Sequence, residues 1–344
     1  MSAPQWTVVD VGLAQMGDMR ALFQGVFGHA LSERLWRWKY DDGHGVAVGA
    51  RAPSGELLAH YGGTFRTISF FGRPALAVQI GDVMVAREGR AMLSHKGPFG
   101  MVMQAFLKQH ISTGNGPVLG FGFPNARAMR LGVLLGEYVQ VDTIHELSWS
   151  VNRPANDWRS YFLGTCFQAV DWDDSITASL IDEVWGLMQG DLAGFVVPLR
   201  DATWWKHRYA NHPEHRYQCF WIRSRWSRRT LGVIALRPHM AASTSKNGAE
   251  VWELMDWVCV NKNTHVMLQA ACAVVFENGG TSLMGWFSGT VKAQFPGVTS
   301  QEVCAVSVTA PSNGGDFALE HGFACSTAAL MGKWWLTSGD TDFR

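Results

Sequence analysis

The sequence predicts a mixed α/β fold laid down twice along one chain, each copy a twisted, mostly antiparallel sheet flanked by helices. Three observations carry that expectation. A block in the first half, Trp36-Arg37-Trp38-Lys39-Tyr40-Asp41-Asp42-Gly43, has a counterpart in the second, Trp205-Lys206-His207-Arg208-Tyr209-Ala210-Asn211-His212. Each block is a Trp, a basic residue, a ring, a basic residue and a Tyr, running into a polar turn. Downstream the same succession recurs: a hairpin pattern, an acidic residue entering an apolar strand, and a helical run. Asp82 follows its Tyr by 42 residues and Asp256 follows its own by 47. The period of roughly 170 residues exceeds the roughly 20–50 of a solenoid unit and has the size of a domain.

Each element has its local reason. Met16, Met19, Leu22, Phe23 and Val26 recur at helical spacing, and Gly28 ends the run. Ser32 opens a second short helix carrying Leu35, Trp36 and Trp38, which Gly43 stops. Residues 46–51 read as a strand, 53–56 as a turn and 57–68 as a long strand. After the turn at 71–74, residues 75–85 form an apolar run suited to a buried central strand. A loop rich in glycine and basic residues occupies 89–100, with a helix from 99 to 110. A strand at 117–123, a helix at 125–135 and strands at 138–151 complete the first copy, which ends at a polar linker, 152–157. The second copy opens with a helix at 175–188 and repeats the pattern through strands at 231–236 and 256–260 and a helix at 266–276. Residues 323–337 read as strand and 339–344 as a polar tail.

Composition narrows the function classes. An apolar fraction of 47% with 17% charged residues supports real cores and argues against disorder. Formal net charge is zero, so the basic footprint of a duplex-binding protein is missing and no nucleic-acid partner is expected. The basic run Arg223-Ser224-Arg225-Trp226-Ser227-Arg228-Arg229 reads as a solvated hairpin tip. The N-terminus lacks the pattern of a secretory signal, and no apolar stretch approaches the ~20 residues of a membrane span, so no membrane partner is expected. The six cysteines are widely spaced within the second copy and form no CxxC pair, which suits reduced thiols in a cytoplasmic protein. His207, His212 and His215 fit neither HExxH nor a zinc-finger spacing, so no metal is expected. No G-x-S-x-G elbow occurs, which argues against a serine hydrolase.

The strongest chemical signal is the strand–loop–helix over 83–103. A Gly-rich loop between a central strand and a helix exposes backbone N–H groups and a helix N-terminus, the requirement for holding a pyrophosphate. Arg87, Gly89, Arg90, His95, Lys96, Gly97 and Gly100 combine flexible backbone with positive charge. Neither GxxxxGK[ST] nor a strand-borne GxGxxG is present, and a plain strand–helix connection explains the same composition. For proton transfer, Asp82 enters the central strand and is the candidate base; its recurrence as Asp256 also fits a structural role.

This order of elements resembles the GNAT superfamily of acyl-CoA-dependent N-acyltransferases, in its tandem bacterial form. The details that carry the resemblance are Asp82-Val83-Met84-Val85-Ala86-Arg87, the glycines after it, Gly120-Phe121-Gly122-Phe123-Pro124-Asn125 and Leu134-Leu135-Gly136. The resemblance spans residues 5–150 well and 170–340 more weakly. It implies two GNAT-like domains, 1–151 binding the acyl-CoA and 152–344 degenerate, shaping the substrate cleft or supporting the fold. It implies that Val83, Met84 and Val85 offer backbone to the pantetheine arm. Arg90, Lys96, Gly97, Phe99, Gly100 and Asn125 would complete the cofactor site, with acetyl-CoA as co-substrate. The implied reaction is direct attack by a primary amine of a small molecule or peptide on the thioester.

Three departures stand out. The family's loop is a compact Arg/Gln-x-x-Gly-x-Gly/Ala, whereas here six residues separate Arg90 from Gly97. The family's helix after the fifth strand has the form Asn-x-x-Ala-x-x-x-Tyr-x-x-x-Gly; Asn125, Ala128 and Gly136 match, but the Tyr position is Gly132. Tyr138, past the helix, is the candidate replacement acid, and a packed strand Tyr is the other reading. In the second copy the loop is Asn261-Lys262-Asn263-Thr264-His265, without glycine, so that copy is expected not to bind CoA. The missing Tyr keeps a second function open, an inactive GNAT-like module binding a metabolite or protein. Aminoacyl or fatty-acyl transfer on the same scaffold also stays open, because these motifs do not specify the donor.

Overall fold

The computed structural model describes residues 6–91, 94–111, 116–151, 164–239, 250–309, 317–319 and 323–341. The linker expected at 152–157 lies outside them. The chain divides into two compact units, neither of them a single stretch. The first comprises 1–68, 74–142 and 304–332; the second comprises 69–73, 143–303 and 333–344.

In the first unit, β1 (Thr7–Asp10) leads to α1 (Met16–Phe27) and α2 (Glu33–Tyr40), then to β2 (Gly45–Arg51), β3 (Leu57–Phe70) and β4 (Arg73–Val85). Helix α1 stops at left-handed Gly28, and the Ser32 hydroxyl caps α2 by accepting from Leu35 N at 3.1 Å. After β4 come α3 (Pro98–His110), β5 (Leu119–Gly122), α4 (Ala126–Leu134) and the start of β6 (Tyr138–Ser150). The Asn125 side chain caps α4, accepting from Arg127 N and Ala128 N. Strand order is β1-β2-β3-β4-β5-β13-β6, where β13 is Ser300–Thr309. This late strand pairs antiparallel with β5 through Ser307↔Gly122 and Val308↔Phe121. Two apolar clusters sandwich the sheet. Tyr61, Val78, Phe99, Val102, Phe106, Met129 and Tyr138 pack with α3 and α4. Met19, Leu22, Phe23, Trp36, Tyr40 and Met84 pack with α1 and α2.

The second unit begins in the later residues of β6 and adds β7 (Thr165–Ala169), α5 (Thr177–Asp191), β8 (Val196–Pro198) and α6 (Ala202–Trp205). Strands β9 (Gln218–Ser224), β10 (Thr230–His239) and β11 (Val251–Cys259) follow, then α7 (Thr264–Glu277) and β12 (Ser282–Ser288). The strand order is β6-β12-β11-β10-β9-β7. Its core holds Trp185, Trp205, Trp221, Trp252, Trp257 and Trp335, so many of the sixteen tryptophans serve packing. The segment expected to be strand at 323–337 instead forms a three-residue strand, Phe323–Cys325, and a 3-10 turn, Thr327–Leu330. The buried residues beyond it fold as a second 3-10 turn, Ser338–Asp340. Periodicity cannot show this, because Met331, Gly332 and Lys333 are exposed in succession and the residues from Trp334 to Thr341 are buried in succession, so neither stretch alternates.

Candidate active site

Strand β4 is paired in parallel with β5 only from Ala77↔Leu119 to Ile80↔Gly122. There β5 ends and the chain turns through Phe123, Pro124 and Asn125 into α4, while β4 runs on to Val85. The two strands therefore separate beyond Ile80. Two residues further along β4, Asp82 has a φ of 50°, a left-handed conformation that is uncommon away from glycine and least unfavourable for Asp and Asn. Such a residue persists in a strand only if its surroundings hold it.

They do so through both its side chain and its carbonyl. The Asp82 carboxylate accepts from Lys39 Nζ at 2.9 Å and from the Tyr40 hydroxyl at 2.6 Å. Burial alone would raise the Asp82 carboxyl; the Lys39 ammonium and these two hydrogen bonds outweigh it and hold the carboxyl below its ordinary range. His60, fully buried on β3, places Nδ1 2.7 Å from the Asp82 carbonyl. A carbonyl can only accept, so Nδ1 carries the proton and Nε2 keeps its lone pair. That Nε2 is buried and has no hydrogen-bond partner among the described residues. Burial lowers the His60 pKa, and nearby Lys39 adds to the effect against the opposing pull of Asp82, so the ring is neutral near pH 7.

Tyr138 stands on the other face of the sheet, in the cluster that packs with α3 and α4. Its hydroxyl lies 2.6 Å from the Tyr61 hydroxyl. Burial pushes the Tyr138 phenol up to about 12, so it is protonated near neutrality. A side chain at Gly132 would place its Cβ 2.1 Å from Tyr138 Cδ2. The ring of Tyr138 thus covers the face of α4 at Gly132 and leaves no room there for a side chain.

The loop after β4 begins with a 3-10 turn, Arg87–Ala91, and Arg90 Nε donates to the Val85 carbonyl at 3.0 Å. Gly97 is the extended N-cap of α3, makes no side-chain cap, and is followed by Pro98 in the first turn. The first N–H groups of a 13-residue helix therefore lack a side-chain cap, with exposed Lys96 beside them. Gly100 is required by packing: a Cβ there would sit 2.4 Å from the Ser94 carbonyl oxygen. Phe99 points into the core 6.4 Å from Tyr61, and the Asn125 side chain is committed to capping α4. On β4, Val83 and Val85 pack with the α3 side and Met84 with the α1–α2 side, so these three bring backbone to the gap. Of the sequence-predicted residues, Val83, Met84 and Val85 line the end of the β4–β5 pairing, Phe99 packs in the core, Asn125 caps α4, and Asp82 and Tyr138 lie on opposite faces of the sheet. Sequence reasoning missed Lys39, His60 and Tyr61 as members of the site; Lys39 was visible in the repeated block, but the other two read only as alternating strand residues.

The second unit repeats the core of this arrangement. The Tyr209 hydroxyl donates to Asp256 on β11 at 3.1 Å, and the Trp205 ring packs at a tilt against Tyr209, 4.8 Å between centroids, as Trp36 does against Tyr40 at 5.5 Å. The parallel pairing of β11 with β12 ends at Glu253↔Met284, while β11 continues to Cys259. Here the chain fills its own gap. Ser338 Oγ accepts from Trp286 N at 2.7 Å, and Arg208 Nε donates to the Gly339 carbonyl at 3.0 Å. Gly339 lies so close that a Cβ would fall 2.1 Å from the Tyr209 hydroxyl. Fully buried Arg200 bridges Asp256 and Asp340. Asp340 of the polar tail thus folds inward; Asp342 lies outside the described residues. Among the described residues no cluster of three or more His, Cys, Asp or Glu side chains has the arrangement to hold a metal ion.

Solved structures with this architecture include a probable N-acyltransferase from Enterococcus faecalis, 15% identical, covering 88% of this chain and 71% of that one with a TM-score of 0.63. A GCN5-related N-acetyltransferase from Kribbella flavida, also 15% identical, covers 88% and 70% with a TM-score of 0.58. The fold is that of the GNAT superfamily. Saccharomyces cerevisiae N-myristoyltransferase with bound myristoyl-CoA shares it at 11% identity, over 90% of this chain and 85% of that one, with a TM-score of 0.53. No protein-family model and no curated protein sequence matches the chain.

Proposed function

We propose that this protein is an acyl-CoA-dependent N-acyltransferase that moves an acetyl group from acetyl-CoA to a primary amine of a small molecule or peptide. The observation that carries this reading is the separation of β4 from β5 beside left-handed Asp82, next to a helix whose first N–H groups lack a side-chain cap. The uncapped start of α3, with Lys96, suits the pyrophosphate, and the backbone of 83–85 suits the pantetheine arm. Among the described residues of the second unit, 338–341 occupy the corresponding gap, which supports a cofactor site in the first unit.

In the reaction, the amine nitrogen attacks the thioester carbonyl, forming the N–C bond while the C–S bond breaks. Backbone N–H groups of β4 near Val83 and Val85 polarise the carbonyl oxygen. The attacking nitrogen must lose a proton. Asp82, already ion-paired to Lys39, is a poor acceptor and serves by holding the strand; the lone pair on His60 Nε2 receives the proton, directly or through one water. Tyr138, over Gly132, supplies a proton to the departing thiolate. Titration calorimetry with CoA and acetyl-CoA tests the first half of this reading, and Gly97→Leu/Gly100→Leu should abolish the binding. Tight acetyl-CoA binding with no turnover across an amine library would favour the inactive binding module instead. A series of acyl-CoA chain lengths distinguishes acetyl from longer donors.

A further inference from the structure

Among the described residues, the turn between β9 and β10 is a strongly basic surface feature that the proposed chemistry leaves unused. From His215 to Ala249 the sequence contains no Asp or Glu, yet Arg216, Arg223, Arg225, Arg228 and Arg229 crowd its first half. A chain of zero net charge has gathered positive charge at one place. The turn itself is well built. Ser224 N donates to the Arg229 carbonyl at 2.8 Å and Arg228 N to the Ser224 carbonyl at 2.9 Å. Arg228 takes a left-handed φ of 58° to close it. The backbone is thereby held, and the side chains are pushed outward.

What projects is not merely polar. Trp226 is 80% exposed, more than any other large apolar side chain among the described residues. Arg225, Arg228 and Arg229 are exposed around it and make no ion pair with another described residue. An indole left in water on a convex tip, ringed by uncompensated guanidinium groups, matches an interface that is apolar a few ångströms down and anionic on top. Tryptophan favours the headgroup level of a bilayer, and basic residues beneath it favour anionic lipid. A nucleic acid fits less well, since its affinity grows with the number of phosphates neutralised along a stripe, and these arginines are confined to one turn. A protruding tip likewise offers no pocket to a folded protein. Peripheral contact needs no spanning helix, and no helix among the described residues is long and apolar enough to span.

We propose that the β9–β10 turn is a peripheral membrane-contact site, with Trp226 seated among lipid headgroups and Arg225, Arg228 and Arg229 on anionic phosphates. Co-sedimentation of the full chain with phosphatidylcholine vesicles, with and without phosphatidylglycerol, tests it. Binding should require the anionic lipid and weaken with salt. Each arginine contributes about fivefold, so R225A/R228A/R229A should bind roughly 100-fold more weakly. W226A should lose binding while the circular dichroism spectrum of the folded chain is unchanged. Failure of the wild-type chain to bind anionic vesicles, or equal binding by the triple variant, overturns the proposal. So does tighter binding to a single-stranded or duplex oligonucleotide that depends on the same arginines, which would assign the tip to nucleic acid.

Discussion

Asp82 is held in an unusual backbone conformation by a lysine, a tyrosine and a histidine, and its chemistry sets the behaviour of the residues around it. Both side chains of the Lys39–Asp82 pair are nearly inaccessible. Removing one partner of such a pair leaves a buried charge behind, at a cost of roughly 3–5 kcal/mol. Asp82→Ala should therefore lower unfolding stability by about that much in a urea titration, whereas Asp41→Ala, whose partner Arg37 is exposed, should change little. The pH dependence has a definite sign. Asp82 titrates lower in the folded chain than in the unfolded one, so its contribution is complete above ~3.9 and fades as pH falls toward the lower folded value. His60 acts higher up the scale. Its folded pKa is depressed, so the unfolded chain takes up the proton first and stability falls as pH drops below ~6.5. His60→Asn keeps a donor for the Asp82 carbonyl but has no titrating lone pair. It should flatten that limb of the stability profile and reduce kcat by roughly 10²–10⁴-fold, the range for losing a general base. An unchanged pH–rate profile in His60→Asn would remove His60 from the chemistry.

At the scale of elements, α4 and β6 are matched by a pair of residues that sequence alignment alone would score as a loss and an irrelevance. Gly132 and Tyr138 share one volume, so Gly132→Tyr should be strongly destabilising by overpacking in thermal unfolding. Gly132→Tyr/Tyr138→Ala should recover much of the stability, because one ring then again fills the space. If the double variant is no more stable than Gly132→Tyr, the two rings do not compete. The turn at Ser338–Asp340 shows the same logic in the second unit, where Arg200 is neutralised by two buried carboxylates. Asp340→Ala should lower the melting temperature by several degrees, since it withdraws a carboxylate from a fully buried guanidinium.

Over the whole molecule, the mixed sheet flanked by helices was legible in the sequence because its markers are local: an aromatic-basic block, an Asp in an apolar run, and glycines closing helices. Trp36 packs on Tyr40, whose hydroxyl donates to Asp82, and Trp205 packs on Tyr209, whose hydroxyl donates to Asp256. The route of the chain through the units was not legible. Strand β13 lies beside β5 although nearly two hundred residues separate them, and no periodicity encodes a pairing at that distance. The site was half legible for a related reason. Asp82, the glycines of the loop and Gly132 stand out by type, while His60 and Tyr61 acquire meaning only when β3 is laid against β4 and β6.

Acyl transfer at the first unit is tested by following thiol release in a continuous assay with acetyl-CoA and a library of primary amines. Release of CoA should depend on the amine, saturate in both substrates and fall sharply in His60→Asn and Tyr138→Phe. Stoichiometric acetyl-CoA binding with no amine-dependent release from any member of the library would contradict it.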